Sequence, residues 1–321
     1  MSPFEDALTD LRITGAVLLH ERYAPGCAVL VPDEQKLRTL LGHGPHVKLA
    51  PFHLVRRGEL KLADGCGEHI ALKELDVAIW LAGSAHSLNF GTADKALPLE
   101  AIIAGAHKPP AANNACAAEL ICGVFAMQAA PFNPLLAALP PVLRCATAAQ
   151  ATSQMLAKAA ELLLLELDAP LRQCASYTRA RLLEVFFAEA IRDHQASVGG
   201  RVGWLRGLND AKLSAALTAF HEAPEEHWSV ERLANIAALS PSRFAARFRD
   251  TLGVTAMEYV ARWRLNLACG LLQNTDDDMA SIAYAVGYGG GAALSRAFKE
   301  RVGISPAKWR LNELKQNQAR C

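Results

Sequence analysis

Three things are scarce in this chain of 321 residues: paired cysteines, long apolar runs and an excess of charge of either sign. Its eight cysteines contain no C-x-x-C pair. That argues against a zinc site or disulfide framework, and reads instead as thiols buried like small hydrophobes. The greasiest stretch, Leu162-Leu163-Leu164-Leu165, is cut by charges far short of a membrane span. Met1-Ser2-Pro3-Phe4-Glu5-Asp6 is acidic and lacks an apolar run, so no signal peptide, no membrane partner and a cytoplasmic location are expected. A net charge of +1 does not announce nucleic acid, yet a local patch suffices for phosphate contacts. No glycine-rich phosphate loop is present.

Half the residues, 51%, are hydrophobic, and the length suits two domains. Residues 1–130 predict strands: Ala16–Leu19, Cys27–Val31, Phe52–Val55, Val77–Leu81 and Leu120–Phe125 are short apolar runs between Gly, Pro and Asp. Glu59–Leu62 and Ile70–Leu72 add a hairpin, and the many short strands favour a sandwich or small barrel. Pro131–Pro141 reads as a connector. Ala149–Asp168 and Tyr177–His194 are free of glycine and rich in Ala, Leu and Glu, hence helices. Asn209–His221 follows as another. The face with Leu182, Leu183, Phe186, Phe187 and Ala190 fits either a second copy of the chain or the rest of the monomer.

The last hundred residues carry one pattern twice. Val230, Leu233, Ala234 and Ala237 precede Phe244, Phe248 and Leu252. Met279, Ile282, Ala283 and Val286 precede Leu294, Phe298 and Val302. The copies are offset by about 50 residues, and each predicts a short helix, a turn and a second helix. Ser229 suits the N-cap of the first pair, and Ser240-Pro241 predicts a capped start with proline at N1. Tyr259–Gln273, with Tyr259, Trp263, Leu267 and Leu271 spaced by four, predicts a connecting helix.

With Phe244 and Phe248 inward, Ser242, Arg243, Ala245, Ala246 and Arg249 point outward. The second unit presents Ala292, Ser295 and Arg296, with Lys299 and Arg301 further along. Arginine can bind guanine O6 and N7 together, whereas lysine and arginine on phosphates position a protein without reading sequence. Double-stranded DNA is therefore the expected partner. Two copies in register, with basic residues on the same helix each time, argue against a plain helical adaptor.

These residues resemble the AraC/XylS family of bacterial transcription regulators. The likeness rests on Leu233-Ala234, Phe244-x3-Phe248, Gly253, Trp263-Arg264-Leu265, Ile282-Ala283-x2-Val286-Gly287-Tyr288, Ser295-Arg296-Ala297-Phe298-Lys299, Gly303-Ile304-Ser305-Pro306 and Trp309-Arg310. Phe52-His53-Leu54-Val55, Cys122-Gly123 and Leu135–Pro141 are similar to the subgroup with a cupin-type sensor. The resemblance implies an α+β chain: a cupin-like β-barrel or sandwich over 1–141, a helical linker or dimerisation region over 142–221, and an all-α domain with two helix-turn-helix units over 222–321. It implies a regulator, an activator above all, that binds DNA at promoter sites, with RNA polymerase and a second copy of the chain as partners. Two departures stand out. Gly289-Gly290-Gly291 opens the last reading helix, at about 1 kcal/mol for each glycine inside it. Ala245 and Ala246 leave the first reading helix poor in hydrogen-bonding groups.

Candidates for sensing an effector are His53, Trp80, His86, Cys122, Cys116 and Cys27. A metal would draw on His53, His69, His86 and Glu59, but two histidines one residue apart on one strand are missing, since Val55 follows His53 at that spacing. The expectation is no metal, no cofactor and no enzymatic activity. The subgroup includes oxidant-responsive members, so Cys122 with Cys116 or Cys27 is the redox alternative to a small-molecule effector. His43, His46, Lys48, His53, Arg56 and Arg57 could receive an anion or form a solvated basic face. The rival functions are a metal-dependent cupin enzyme with a DNA-binding tail, and a protein–protein adaptor.

Overall fold

The computed structural model describes residues 3–44, 47–64, 69–92, 95–105, 117–127, 132–146, 154–169, 175–198 and 203–311. In chain order, the first elements are α1 (Pro3–Asp10), β1 (Ile13–Tyr23), β2 (Cys27–Val31), α2 (Glu34–Leu40), β3 (Lys48–Gly58), β4 (Leu60–Asp64), β5 (His69–Leu72) and β6 (Asp76–Trp80). There follow β7 (His86–Phe90), β8 (Lys95–Pro98), α3 (Leu99–Ile103), β9 (Ala118–Met127), α4 (Pro134–Ala138), β10 (Val142–Ala146), α5 (Gln154–Asp168) and α6 (Ala175–Val198). The C-terminal helices are α7 (Trp204–Asn209), α8 (Leu213–Glu222), α9 (Val230–Ile236), α10 (Pro241–Leu252), α11 (Ala256–Asn274), α12 (Met279–Ala285) and α13 (Gly291–Val302). Among the described residues no helix is long and apolar enough to cross a membrane.

Chain contacts gather these elements into two units. One comprises Ile13–Met127 and Leu139–Ser197; the other comprises Met1–Arg12, Gln128–Ala138 and Val198–Cys321. The first is built on two five-stranded sheets, ordered β1-β9-β3-β6-β10 and β5-β4-β7-β2-β8. Every pairing is antiparallel except β2 with β8. Tyr23, Val29, Leu49, Val55, Leu62, Leu88, Phe90 and Leu120 share one buried core. All ten residues of β9 are buried. The reason is that helix α6 covers the other face, with Phe187 4.8 Å from Phe125 between ring centroids. A strand buried on both faces reads as a continuous apolar run, as Leu120–Phe125 does.

The Leu183–Phe186–Phe187–Ala190 face of α6 is thereby spent inside its own unit, each of the four being buried. The expected hairpin is present, with Leu60 opposite Leu72 and Leu62 opposite Ile70.

The structure departs from a helical segment over 142–221. That stretch opens with a strand, β10, paired with β6 from Val142 opposite Trp80 to Ala146 opposite Asp76. Its alternation buries Leu143 and Cys145 and exposes Arg144, which holds Asp76 at 2.8 Å. Five residues of alternating burial gain a ladder with β6 that a helix could not make. The remainder divides between units: α5 and α6 go with the sheets, α7 and α8 with the C-terminal helices. Helix α1 lies in the C-terminal unit, where Pro3, Phe4 and Ala7 are buried, and Asn133 donates to the Ala7 carbonyl at 2.8 Å.

Candidate nucleic-acid interface

Each C-terminal unit is a pair of helices whose apolar faces the sequence pattern sets. In the first, Ser229 caps α9 by accepting from the Arg232 backbone N–H at 3.2 Å. Ala238 turns left-handed at φ 51°, and the chain re-enters a helix at Pro241. Ser240 occupies the N-cap without a side-chain hydrogen bond; its hydroxyl lies 3.4 Å from that of Ser242. The start of α10 therefore rests on proline at N1, whose φ is already helical. Phe244 and Phe248 are buried, with ring centroids 5.5 Å apart and Phe248 5.8 Å from Tyr259. Their inward direction leaves Ser242, Arg243, Ala245, Ala246 and Arg249 exposed on α10.

In the second unit Asp278 caps α12, accepting from the Ser281 backbone N–H at 2.7 Å. That bond holds its carboxyl below the usual range. Gly287 makes the turn at φ 81°, where a Cβ would come within 2.7 Å of both the Glu225 carbonyl and the Arg264 guanidinium. A side chain there would meet backbone as well as strain, so the position requires glycine. Of the three following glycines only Gly291 lies inside α13; Gly290 is its N-cap at φ 155°. The expected helix weakening is thus confined to one residue. Leu294 and Phe298 are fully buried, and Trp309 packs on Phe298 at 5.8 Å. Ala292, Arg296, Lys299 and Arg301 are exposed on α13, and Ser295 is half-buried.

Helix α11 joins the two pairs, capped by Thr255 and longer than expected at 19 residues. Tyr259, Trp263 and Leu265 lie along its buried side, and Leu265, Ala268, Cys269 and Leu272 belong to the core of the second unit. Among the described residues, Arg243, Arg249, Arg296, Lys299 and Arg301 form no ion pair. Arg247 differs. Its guanidinium grips Asp210 with Nη2 at 2.7 Å and Nε at 2.9 Å from Oδ2. Asp210 also accepts from the backbone of Lys212 and Leu213, at the start of α8. Sequence pattern marks Arg247 as one more base on the second helix. Nothing local in sequence reveals that its partner stands 37 positions earlier.

Three of the sensing candidates form a chain within the β unit, with a fourth stacked on it. Cys122 Sγ lies 3.2 Å from His53 Nδ1, and His53 Nε2 lies 2.8 Å from His86 Nε2. Trp80 stacks on His86 at 4.2 Å, its indole N–H donating to the Ser84 carbonyl. Burial, reinforced by His86, drives the His53 pKa well down; burial lowers that of His86 to about 4. Both rings are neutral near pH 7, so one Nε2 donates and the other accepts. Burial pushes the Cys122 thiol up to about 12 and raises Cys27, whose Sγ donates to the Ala24 carbonyl at 3.0 Å. Neither environment favours the thiolate that a sensing cysteine needs. Cys116 lies outside the described residues.

His86 lines an open cavity of about 370 Å³ with Leu30, Val31, Pro32, Ala63 and Pro98. His69 and Glu59 are exposed. Among the described residues no three His, Cys, Asp or Glu side chains are grouped to hold a metal. The basic stretch around His43–Arg57 is neutralised in part: Arg56 holds Asp168 with both Nη atoms at 2.6 Å, and Lys48 reaches Glu34 at 3.4 Å. His46 lies outside the described residues.

Known proteins match both halves. A cupin family covers residues 2–196, and a helix-turn-helix domain family covers residues 233–312. A protein of Streptomyces antibioticus named as an AraC-like transcription regulator is 33% identical over 318 residues, 97% of this chain and 98% of its own length. One of Streptomyces lividans, named likewise, is 33% identical over 82% of this chain and 87% of its own. Among solved structures, the DNA-binding domain of AdpA in complex with a target DNA is 28% identical, covering 32% of this chain and 91% of that one, with a TM-score of 0.31. With a cupin domain in front, a helix-turn-helix domain behind and relatives matched almost end to end, the chain belongs to the family of AraC-like transcription regulators.

Proposed function

We propose that the protein is a promoter-binding activator that acts without enzymatic chemistry, in the compartment that holds the DNA. Helices α10 and α13 each enter a major groove, on successive turns about 34 Å apart. Arg243 and Arg296 read bases, with Ser242 and Ser295 beside them and Ala245, Ala246 and Ala292 against thymine methyls. Arg249, Lys299 and Arg301 hold phosphates. One observation supports this reading: among the described residues Arg243 and Arg249 on α10 and Arg296, Lys299 and Arg301 on α13 are exposed and form no ion pair, Arg247 alone being held by Asp210, while Phe244, Phe248, Leu294 and Phe298 are buried.

The effector is a small molecule in the cavity beside His86. The buried, protonated state of Cys122 disfavours an oxidant acting through thiolate. A second copy of the chain binds through the side of α5 and α6 away from the sheets, where Leu162, Leu165, Tyr177 and Val185 are exposed, and RNA polymerase is the further partner. The test is to incubate the full-length protein with sheared genomic DNA and sequence what is retained. Enrichment of a few fragments sharing a motif is expected. Absence of retention at low salt would overturn the reading in favour of a protein–protein adaptor.

A further inference from the structure

The N-terminal helix is tied to the DNA-binding unit through an incomplete set of hydrogen bonds. Asn266, in the middle of the connecting helix α11 and only 1% exposed, donates from Nδ2 to Asp10 Oδ2 at 2.8 Å. Its other amide atom, Oδ1, is buried with no partner. A buried amide oxygen left without a donor is costly, and its neighbour as a carboxylate can only accept. A protonated Asp10 supplies the missing donor: its O–H satisfies the amide oxygen while the amide N–H remains on the other carboxyl oxygen.

We propose that α1 is a proton-gated arm, docked on α11 by an acid–amide pair between Asp10 and Asn266 and loosened when Asp10 ionises. The surroundings agree. Burial, with Asp6 adding repulsion, raises the Asp10 pKa from 3.8 to about 6; Arg12 and the Asn266 bond oppose this without cancelling it. Arg12 is itself turned to Asn274 at the end of α11. From α8, His221 presents Nδ1 3.8 Å from Asp6, and its side chain is fully buried. Burial lowers its pKa, against the pull of Asp6. Helix α4, also packed on α1, carries no titratable side chain.

The direction follows from linkage. The docked arm binds a proton more tightly than the free one. Docking is therefore strongest below the free carboxyl value near 3.8 and weakens as pH rises through about 6. The arm continues directly into β1 at Ile13, while α11 carries both reading units. Its docking thus bears on the helix that spaces α10 and α13.

Backbone hydrogen exchange of residues 3–11 in the full-length protein, corrected for the intrinsic rate at each pH, tests this. In the wild type, protection should fall by about 100-fold between about pH 3.5 and 7.5, with its midpoint near 5 and a level profile above about 6. Asp10→Asn keeps a donor and an acceptor at every pH, so its protection should stay high and flat. Asp6→Asn, which removes the neighbouring charge, should move the midpoint to lower pH. A flat wild-type profile would overturn the proposal. So would an Asp10→Asn profile that falls like the wild type. If Asp10→Asn loses protection in α11 as well and so fails to fold, the Asp6→Asn midpoint decides: a downward shift supports the proposal and an unmoved one rejects it.

Discussion

In the first reading unit a serine and a proline open α10, and one of its arginines is held by Asp210 at the start of α8. In the second, glycines precede α13, and Arg296, Lys299 and Arg301 are all exposed and without an ion pair among the described residues. The frame is the same in both: two phenylalanines spaced by four in one, Leu294 and Phe298 in the other, all buried. A shared core therefore does not imply shared work. The first unit uses one of its cations to join the preceding helices, whereas the second presents all three to solvent.

That contrast can be broken in four ways, from the largest effect to the smallest. Phe298→Ala removes a fully buried ring and should cost about 3–5 kcal/mol of stability in chemical denaturation. Phe248→Ala should cost a similar amount. A cost below 1 kcal/mol for either would show that the two cores are not equivalent. Arg296→Ala should lose about 1–3 kcal/mol of affinity on the preferred site and relax specificity at one base pair, as read in binding titrations against single-base variants. If affinity and base preference both survive, α13 does not dock in the groove as drawn.

Asp210→Asn should destabilise by about 1–2 kcal/mol near neutral pH, as it weakens both the acceptor for the Lys212 and Leu213 amides at the start of α8 and the grip on Arg247. Burial works against the Asp210 charge, but Arg247 and the Leu213 and Lys212 amides outweigh it and hold the pKa below the usual value of 3.8. A depressed carboxyl stabilises above its unfolded pKa, and the gain is lost as pH falls through the folded one. Thermal melts of wild type and Asp210→Asn should therefore differ at pH 7 and draw together as the pH falls below 3.8. Convergence at neutral pH would mean that the pair does no more than an exposed ion pair. Lys299→Ala should weaken all DNA sequences alike and lower the salt slope by about one. A loss confined to one sequence would make it a base reader.

The helical halves of the molecule were the more legible in sequence. A turn of 3.6 residues is local, so Phe244-x3-Phe248 and Leu294-x3-Phe298 state their own inward faces. Ser229, Pro241 and Gly287 mark helix ends by chemistry that needs no distant partner. Ser240 shows the limit: its type predicts a cap, and its rotamer spends the hydroxyl elsewhere. Strand partners are not local. Val142–Ala146 looks like a linker until β6 offers it a ladder. His53, His86 and Cys122 stand 33 and 69 residues from one another's sites of contact, and only the sheets bring them within hydrogen-bonding reach.

The sequence by itself determined the duplicated helix pairs, the side of each that is buried, the residues left on the outer side and the sheet-rich character of the front half. These follow from periodicity and from end signals that act over a few residues. Tertiary structure alone decided that α1 joins the C-terminal unit, that Asp210 claims Arg247, that Cys122 is a buried thiol on a histidine pair, and that Asp10 meets Asn266 across 256 positions. Each of these depends on burial and on a partner remote in the chain. Burial sets whether a charge, a thiol or a proton is stable, and no local pattern encodes it.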